Sequence, residues 1–265
     1  ASAGWGNAGG GATQALMPLM LSAIVMYGVE QSMGWRIALL VPGVMMLIVG
    51  ALYWKFTQDC PAGNYKELRE QGIEVEGGKK GGWAIIKEAS RNYRVWILFI
   101  SYAACFGIEI FMHNVVTMYY VQKFNFGLKE AGMAAGIFGL LALFARAFGG
   151  IISDKVALKR GLDARTEILF MMILGEGLFL MLFSQMNTPV MAILSMTLFG
   201  LFTHMACGAT YALVPFIDRK ALGGVAGIIG AGGNVGAVAA GFIFKSMPDL
   251  QTCLLSLGIM VVVIG

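Results

Sequence analysis

Of 265 residues, 58% are hydrophobic and only 13% are charged, for a mean hydropathy of +0.74. A soluble domain carries about a quarter charged residues, so the polar surface here is too small to face water, and a lipid-covered fold follows. The formal charge of +4 is carried by loops, not by one basic face, which argues against a nucleic-acid partner.

A bilayer-crossing helix needs about 20 mostly apolar residues, and the chain offers about eight such runs. The first covers Ser2 to Tyr27, glycine-dense at its start and with Pro18 inside; the second covers Trp35 to Phe56. A polar stretch over 57–94 follows, mixing Lys66, Arg69, Lys79, Lys80, Lys87, Arg91 and Arg94 with Glu67, Glu70, Glu74, Glu76 and Glu88. Its Gly77-Gly78 and Gly81-Gly82 pairs predict a flexible linker with a short amphipathic helix. Further runs cover Val95 to Val121, Ala131 to Ile152, Ile168 to Phe183, Pro189 to Phe216 and Leu222 to Phe244, and a last one starts near Leu250.

These runs predict an all-α polytopic membrane protein in three parts. Residues 1–56 end one helical bundle, 57–94 form a central loop, and 95–265 form a second bundle. A start at Ala1 without Met, and a stop inside an apolar run, lead to the expectation of a fragment. Span parity puts 57–94, the basic loop 154–165 and the Asp218-Arg219-Lys220 turn on one side, opposite the uncharged Gln185-Met186-Asn187-Thr188. The positive-inside rule makes the basic side cytoplasmic.

Two glycine-asparagine segments suggest an internal repeat. Gly4-Trp5-Gly6-Asn7-Ala8-Gly9-Gly10-Gly11 stands in the first run and Gly230-Ala231-Gly232-Gly233-Asn234-Val235-Gly236-Ala237 in the seventh. Repeated halves with a midplane site characterise secondary transporters. Gly223, Gly227, Gly230, Asn234, Ala237 and Gly241 share one helical stripe, which either packs a neighbouring helix or lines a pathway. Asn7 and Asn234 need partners if buried: another helix, or an oxyanion.

Arg146 lies within Leu140-Leu141-Ala142-Leu143-Phe144-Ala145-Arg146-Ala147-Phe148 with no acid nearby in sequence. A charge inside a span is costly and marks function, unless the side chain snorkels to the headgroups. Its planar fork of donors suits a planar oxyanion. Tyr102, Phe106, Glu109 and His113 share one face of the third run, where Glu109 or His113 either couples protons or bonds a neighbouring helix. Glu176 and His204 are read as structural. Gly149-Gly150 followed by Asp154 and Arg160 reads as a conformational latch at the cytoplasmic face.

Cys60, Cys105, Cys207 and Cys253 have neither metal-site nor disulfide spacing and read as small apolar fillers. The sequence contains no metal cluster, no Walker sequence and no nucleophile with a base, so neither an enzyme nor a cofactor is expected.

Taken together, Gly149-Gly150-x-x-Ser153-Asp154-Lys155 with Arg160 resembles the loop motif of the major facilitator superfamily. Ala3 to Gly11 and Gly230 to Gly236 resemble the two signatures of its nitrate/nitrite porter family, and Phe144-Ala145-Arg146 before Gly149-Gly150 matches the family's pattern around a substrate arginine. The long loop and Glu109 are closer to the eukaryotic high-affinity members.

The resemblance implies helices five to eleven and part of twelve of a twelve-helix fold, with nitrate held between two arginines. Arg146 would be one; the other would lie in a helix this sequence lacks. Substrate contacts from Tyr102, Phe106, Asn7 and Asn234 are implied, with Gly4, Gly6, Gly10, Gly230, Gly233 and Gly236 as signature glycines. Nitrate and protons are the implied partners, within a bilayer, the plasma membrane. An accessory membrane protein is left open. Other small anions as cargo, or a non-transporting nitrate sensor, are the competing readings.

Overall fold

The structure is a computed structural model that describes residues 2–60, 62–73 and 82–265, with side chains from residue 9 onward. The side chains of Gly4-Trp5-Gly6-Asn7 and the segment with Glu74, Glu76, Lys79, Lys80, Gly77, Gly78 and Gly81 therefore lie outside the described residues. Among the described residues every regular element is helical. The chain divides into two compact units, one of Ala1–Pro18 with Ile85–Gly265, the other of Leu19–Ala84.

The smaller unit holds the end of α1 (Ser2–Met26), then α2 (Gln31–Phe56) and α3 (Tyr65–Glu70). Gly28, at φ +87°, turns the chain between α1 and α2. Gly34 then lets α2 settle against Leu21, since a Cβ there would stand 3.0 Å from the Leu21 side chain. Most of α2 is exposed and apolar, as befits a helix faced by lipid or another helix.

The larger unit begins with most of α4 (Gly82–Ser90), the short helix expected in the polar stretch. Its Ile85 carbonyl and Ala89 pack where Gly224 removes a side chain. Next come α5 (Tyr93–Tyr102), a π turn (Ala103–Gly107) and α6 (Ile108–Phe124), which together make one span. Asn92 caps its start by accepting from the Arg94 N–H, and Asn125, left-handed at φ 55°, ends it.

α7 (Leu128–Leu140) and α8 (Ala142–Arg160) follow as another span, broken at Leu141. α9 (Asp163–Ser184), α10 (Pro189–Ile217) and α11 (Leu222–Ser246) are each long enough to cross a membrane, whereas α12 (Leu250–Ile264), at 15 residues, is shorter than a full span. The 154–165 region differs from the loop expected. Helix α8 continues to Arg160 and stops only at Gly161, φ +90°, so most of that region is helical. Gly149 and Gly150 do not end the helix, because helical glycines flanked by packing partners are tolerated.

Glycines set the closest helix contacts. A Cβ on Gly149 would strike the Met205 carbonyl, and one on Gly208 would strike the Arg146 carbonyl, so α8 and α10 touch backbone to backbone at Arg146 and again one turn later. α1 crosses α7 at Gly11 and Gly139 in the same way. On α11 the packing face is Gly224, Gly232, Gly233 and Gly236, which receive Ile85, Phe99, Phe106 and Ala103. Gly223, Gly227 and Gly241 of the expected stripe meet nothing within 4 Å. Two glycine stripes share this helix, and spacing alone does not say which one a neighbour covers.

Candidate functional site

The site forms where α6, the π turn, α8 and α10 converge. Arg146 is 6% exposed, so it does not snorkel out to solvent within the unit. Its Nη2 donates to Glu109 Oε2 at 2.5 Å, a cross-helix pair whose acid lies 37 residues away in sequence. No acid stands near Arg146 along the chain, yet the neighbouring helix supplies one, since sequence distance says nothing about neighbouring helices. Two lone intramembrane charges of opposite sign were the signal that could have found it.

The guanidinium also lies 5.2 Å over the Phe106 ring. Phe106 stacks on Tyr102 with centroids 5.0 Å apart, and Tyr102 meets the edge of Tyr211 at 5.1 Å. The π turn sets this up, because an added residue per turn pushes Phe106 outward toward α11, where Gly233 has no side chain to block it. The Arg146 Nε is buried and bonds to nothing among the described residues. A buried guanidinium with an unspent donor beside an aromatic wall is suited to take an oxyanion.

Glu109, 2% exposed, is the hub. Besides Arg146 it receives the Cys207 thiol at 3.6 Å, and His204 Nδ1 stands 3.3 Å from the same oxygen. Its other oxygen lies 3.9 Å from His113 Nε2. His204 is held by Nε2 against the Phe138 carbonyl at 2.9 Å. His113 is held from α1, where Gln14 Nε2 donates to the His113 carbonyl at 2.5 Å and Gln14 Oε1 faces His113 Nδ1 at 3.0 Å. His204, read from the sequence as structural, Cys207, read as a filler, and Gln14, which the sequence reading did not single out, are therefore site neighbours. Only a polar residue at an apolar helical position pointed to them.

The remaining expected residues divide between the rim of this site and places away from it. Asn234 is exposed, and its amide bonds back to the Gly230 carbonyl at 3.4 Å. Gly230 faces the Tyr211 hydroxyl, Gly10 faces the His113 ring, and Gly236 seats the π turn. Asp154 pairs with Arg165 at 2.5 Å, while Arg160 pairs with Glu167 at 2.8 Å, so the latch residues bridge α8 to α9. Among the described residues no His, Cys, Asp or Glu cluster could hold a metal ion.

Residues 2–241 match the Major Facilitator Superfamily. The chain belongs to that superfamily. Within it, the chain is 38% identical over 92% of its length to the High affinity nitrate transporter 2.5 of Arabidopsis thaliana, covering 48% of that protein. It is 37% identical over 92% of its length to Nitrate transporter 2.2 of Chlamydomonas reinhardtii, again covering 48%. The Nitrate/nitrite transporter NrtP of Nostoc punctiforme is 24% identical over 97% of the chain and 63% of that protein. The chain thus spans about half the length of the curated relatives it matches first. The resemblance read from the two signatures and Arg146 is borne out at the level of the family. These relatives are named as transporters, not as enzymes, and the superfamily chain is a membrane protein.

Proposed function

We propose that the chain serves secondary active transport of nitrate, with nitrite as a second substrate, driven by protons and working by alternating access. The observation that carries this reading is Arg146, buried, set over an aromatic ring, with one donor unspent and one held by an acid. The names of the relatives, nitrate transporters and a nitrate/nitrite transporter, support nitrate as the anion. The basic stretches 57–94 and 154–165 would face the cytoplasm, with the plasma membrane as the location.

The pair suggests how protons and anion are linked. An ionised Glu109 cancels the charge of Arg146 and leaves no net field for an anion. A proton on Glu109 uncovers the guanidinium charge, and nitrate then restores neutrality. Each filled or empty state keeps the buried site near zero net charge, which avoids the large cost of an uncompensated ion. Proton and nitrate thereby favour one another's binding.

Arg146→Lys keeps the charge but gives up the planar fork. Losing one charge-assisted hydrogen bond costs about 1.5–3 kcal/mol, so the apparent nitrate affinity should fall roughly 10- to 100-fold. Labelled nitrate uptake by the full-length gene product checks this, with unlabelled nitrite and small carboxylates as competitors. Normal uptake by that variant would sink the assignment of Arg146 to the anion. A protein that binds nitrate yet passes no proton-dependent current under voltage clamp would be a sensor instead.

A further inference from the structure

A second acid lies deep in the larger unit and the linkage above does not use it. Glu176 is fully buried in α9, and neither carboxyl oxygen has a hydrogen-bond partner among the described residues. Its place is fixed on both sides. A Cβ on Gly175 would run into the Phe202 ring of α10, and one on Gly177 would stand 2.6 Å from Val262 and 2.8 Å from the Gly258 carbonyl of α12. The polar groups that face it are Thr203 of α10, Cys105 of the π turn and Glu109 of α6, with no cation among them. The Thr203 hydroxyl already donates to the Phe199 carbonyl. The groups that act on Glu176 include none from α8 or α12, which also pack on α9.

An ionised carboxylate with no cation, and with only a hydroxyl already given to a carbonyl beside it, is costly in such a setting, so the carboxyl carries its proton in this conformation. A purely packing role needs no ionisable group there, and an acid within a span is by default a functional residue. The two acids are joined by two buried thiols. Cys207 donates to Glu109 at 3.6 Å and adjoins Cys105, which faces Glu176.

We propose that Glu176 is a second proton-carrying residue of the transport cycle, loaded in the conformation described here and emptied in another. The proposal rests on the proton-driven reading of the preceding subsection and gives it a second proton site. One proton with one nitrate moves no net charge. A second proton makes each cycle electrically positive inward, and a negative-inside potential then contributes about 2.3 kcal/mol per 100 mV for that charge.

Glu176→Gln tests this, because glutamine copies the shape and polarity of the protonated acid but cannot release a proton. In voltage-clamped cells expressing the full-length gene product, labelled nitrate uptake and current are measured together. The variant should lose the net positive charge moved per nitrate, or lose net uptake, while labelled nitrate still exchanges across vesicles preloaded with nitrate. An unchanged charge-to-nitrate ratio would overturn the proposal. Loss of exchange along with uptake in both Glu176→Gln and Glu176→Asp would make Glu176 a structural residue and overturn it too. No exchange by the unsubstituted protein would sink the transport reading itself, and this proposal with it.

Discussion

The larger unit contains two arginine-carboxylate pairs of the same 2.5 Å length in very different surroundings. In the Glu109–Arg146 pair the side chains are 2% and 5% exposed; in the Asp154–Arg165 pair, 61% and 10%. The first joins α6 to α8 inside a span, and the second joins α8 to α9 at their ends. Only the aspartate half of the second pair stands in water, while Arg165 is buried, so solvent and salt can stabilise Asp154 but reach the arginine only from that side. Nothing but the partner, a proton or an arriving anion can balance the first. Equal geometry therefore carries unequal consequences, and the buried pair is the one that can sense a ligand's charge.

The comparison can be broken most sharply at the buried pair. Glu109→Gln should cost about 3–5 kcal/mol by leaving Arg146 buried and unpaired, read by thermal unfolding in detergent. Nitrate should restore more stability to this variant than to the unsubstituted protein, because it replaces the lost charge. Equal nitrate shifts in both would mean that Glu109 and nitrate do not share the arginine.

A smaller effect is expected where α8 meets α10. Gly208→Ala sets a methyl against the Arg146 carbonyl and should cost about 1–3 kcal/mol by overpacking, with reduced uptake. Gly150→Ala, whose new atom would find its nearest neighbour at 3.8 Å, should be near neutral. Equal melting temperatures for the two would show that the close crossing is not what positions Arg146.

Weaker still, Asp154→Asn should cost about 1 kcal/mol, because the amide oxygen can still accept from the buried Arg165 and water reaches the pair at position 154. That loss should shrink with added salt, while the Glu109→Gln loss should not. A salt-insensitive effect at Asp154 would erase the contrast between the pairs.

The smallest effect belongs to Asp249, which caps α12. The Thr252 N–H, and after it the Thr252 hydroxyl, hold its carboxyl below the ordinary aspartate range. A depressed folded-state value means that its contribution is complete above the unfolded value and fades as pH falls through the folded one. Amide exchange in the first turn of α12 should therefore quicken only in acid, and Asp249→Ala should remove that pH dependence.

Much of this organisation was legible from composition and run length, because lipid demands long apolar helices whatever their packing. The π turn was not, since the one-face spacing of Tyr102, Phe106, Glu109 and His113 fits an unbroken helix equally well. Arg146 and Glu109 each announced themselves by charge, yet their pairing did not, because nothing local ties α6 to α8. On α11 periodicity revealed a small-residue stripe and picked Gly223, Gly227 and Gly241, whereas Gly224, Gly232 and Gly233 meet neighbours. A stripe is a property of one helix; a contact belongs to two. His204 and Cys207 were passed over for the same reason, as their importance comes from the acid across from them.

The two histidines of the chain owe their ring protons to carbonyls. A carbonyl can only accept, so Phe138 requires that His204 carry hydrogen on Nε2. The His113 carbonyl likewise turns the Gln14 amide so that its oxygen faces Nδ1, which must then carry the hydrogen. In the neutral rings the bare nitrogens are thus His204 Nδ1 and His113 Nε2, and each points at a different oxygen of Glu109. Tautomer choice, fixed by main-chain oxygens on α6 and α7, surrounds one acid with lone pairs.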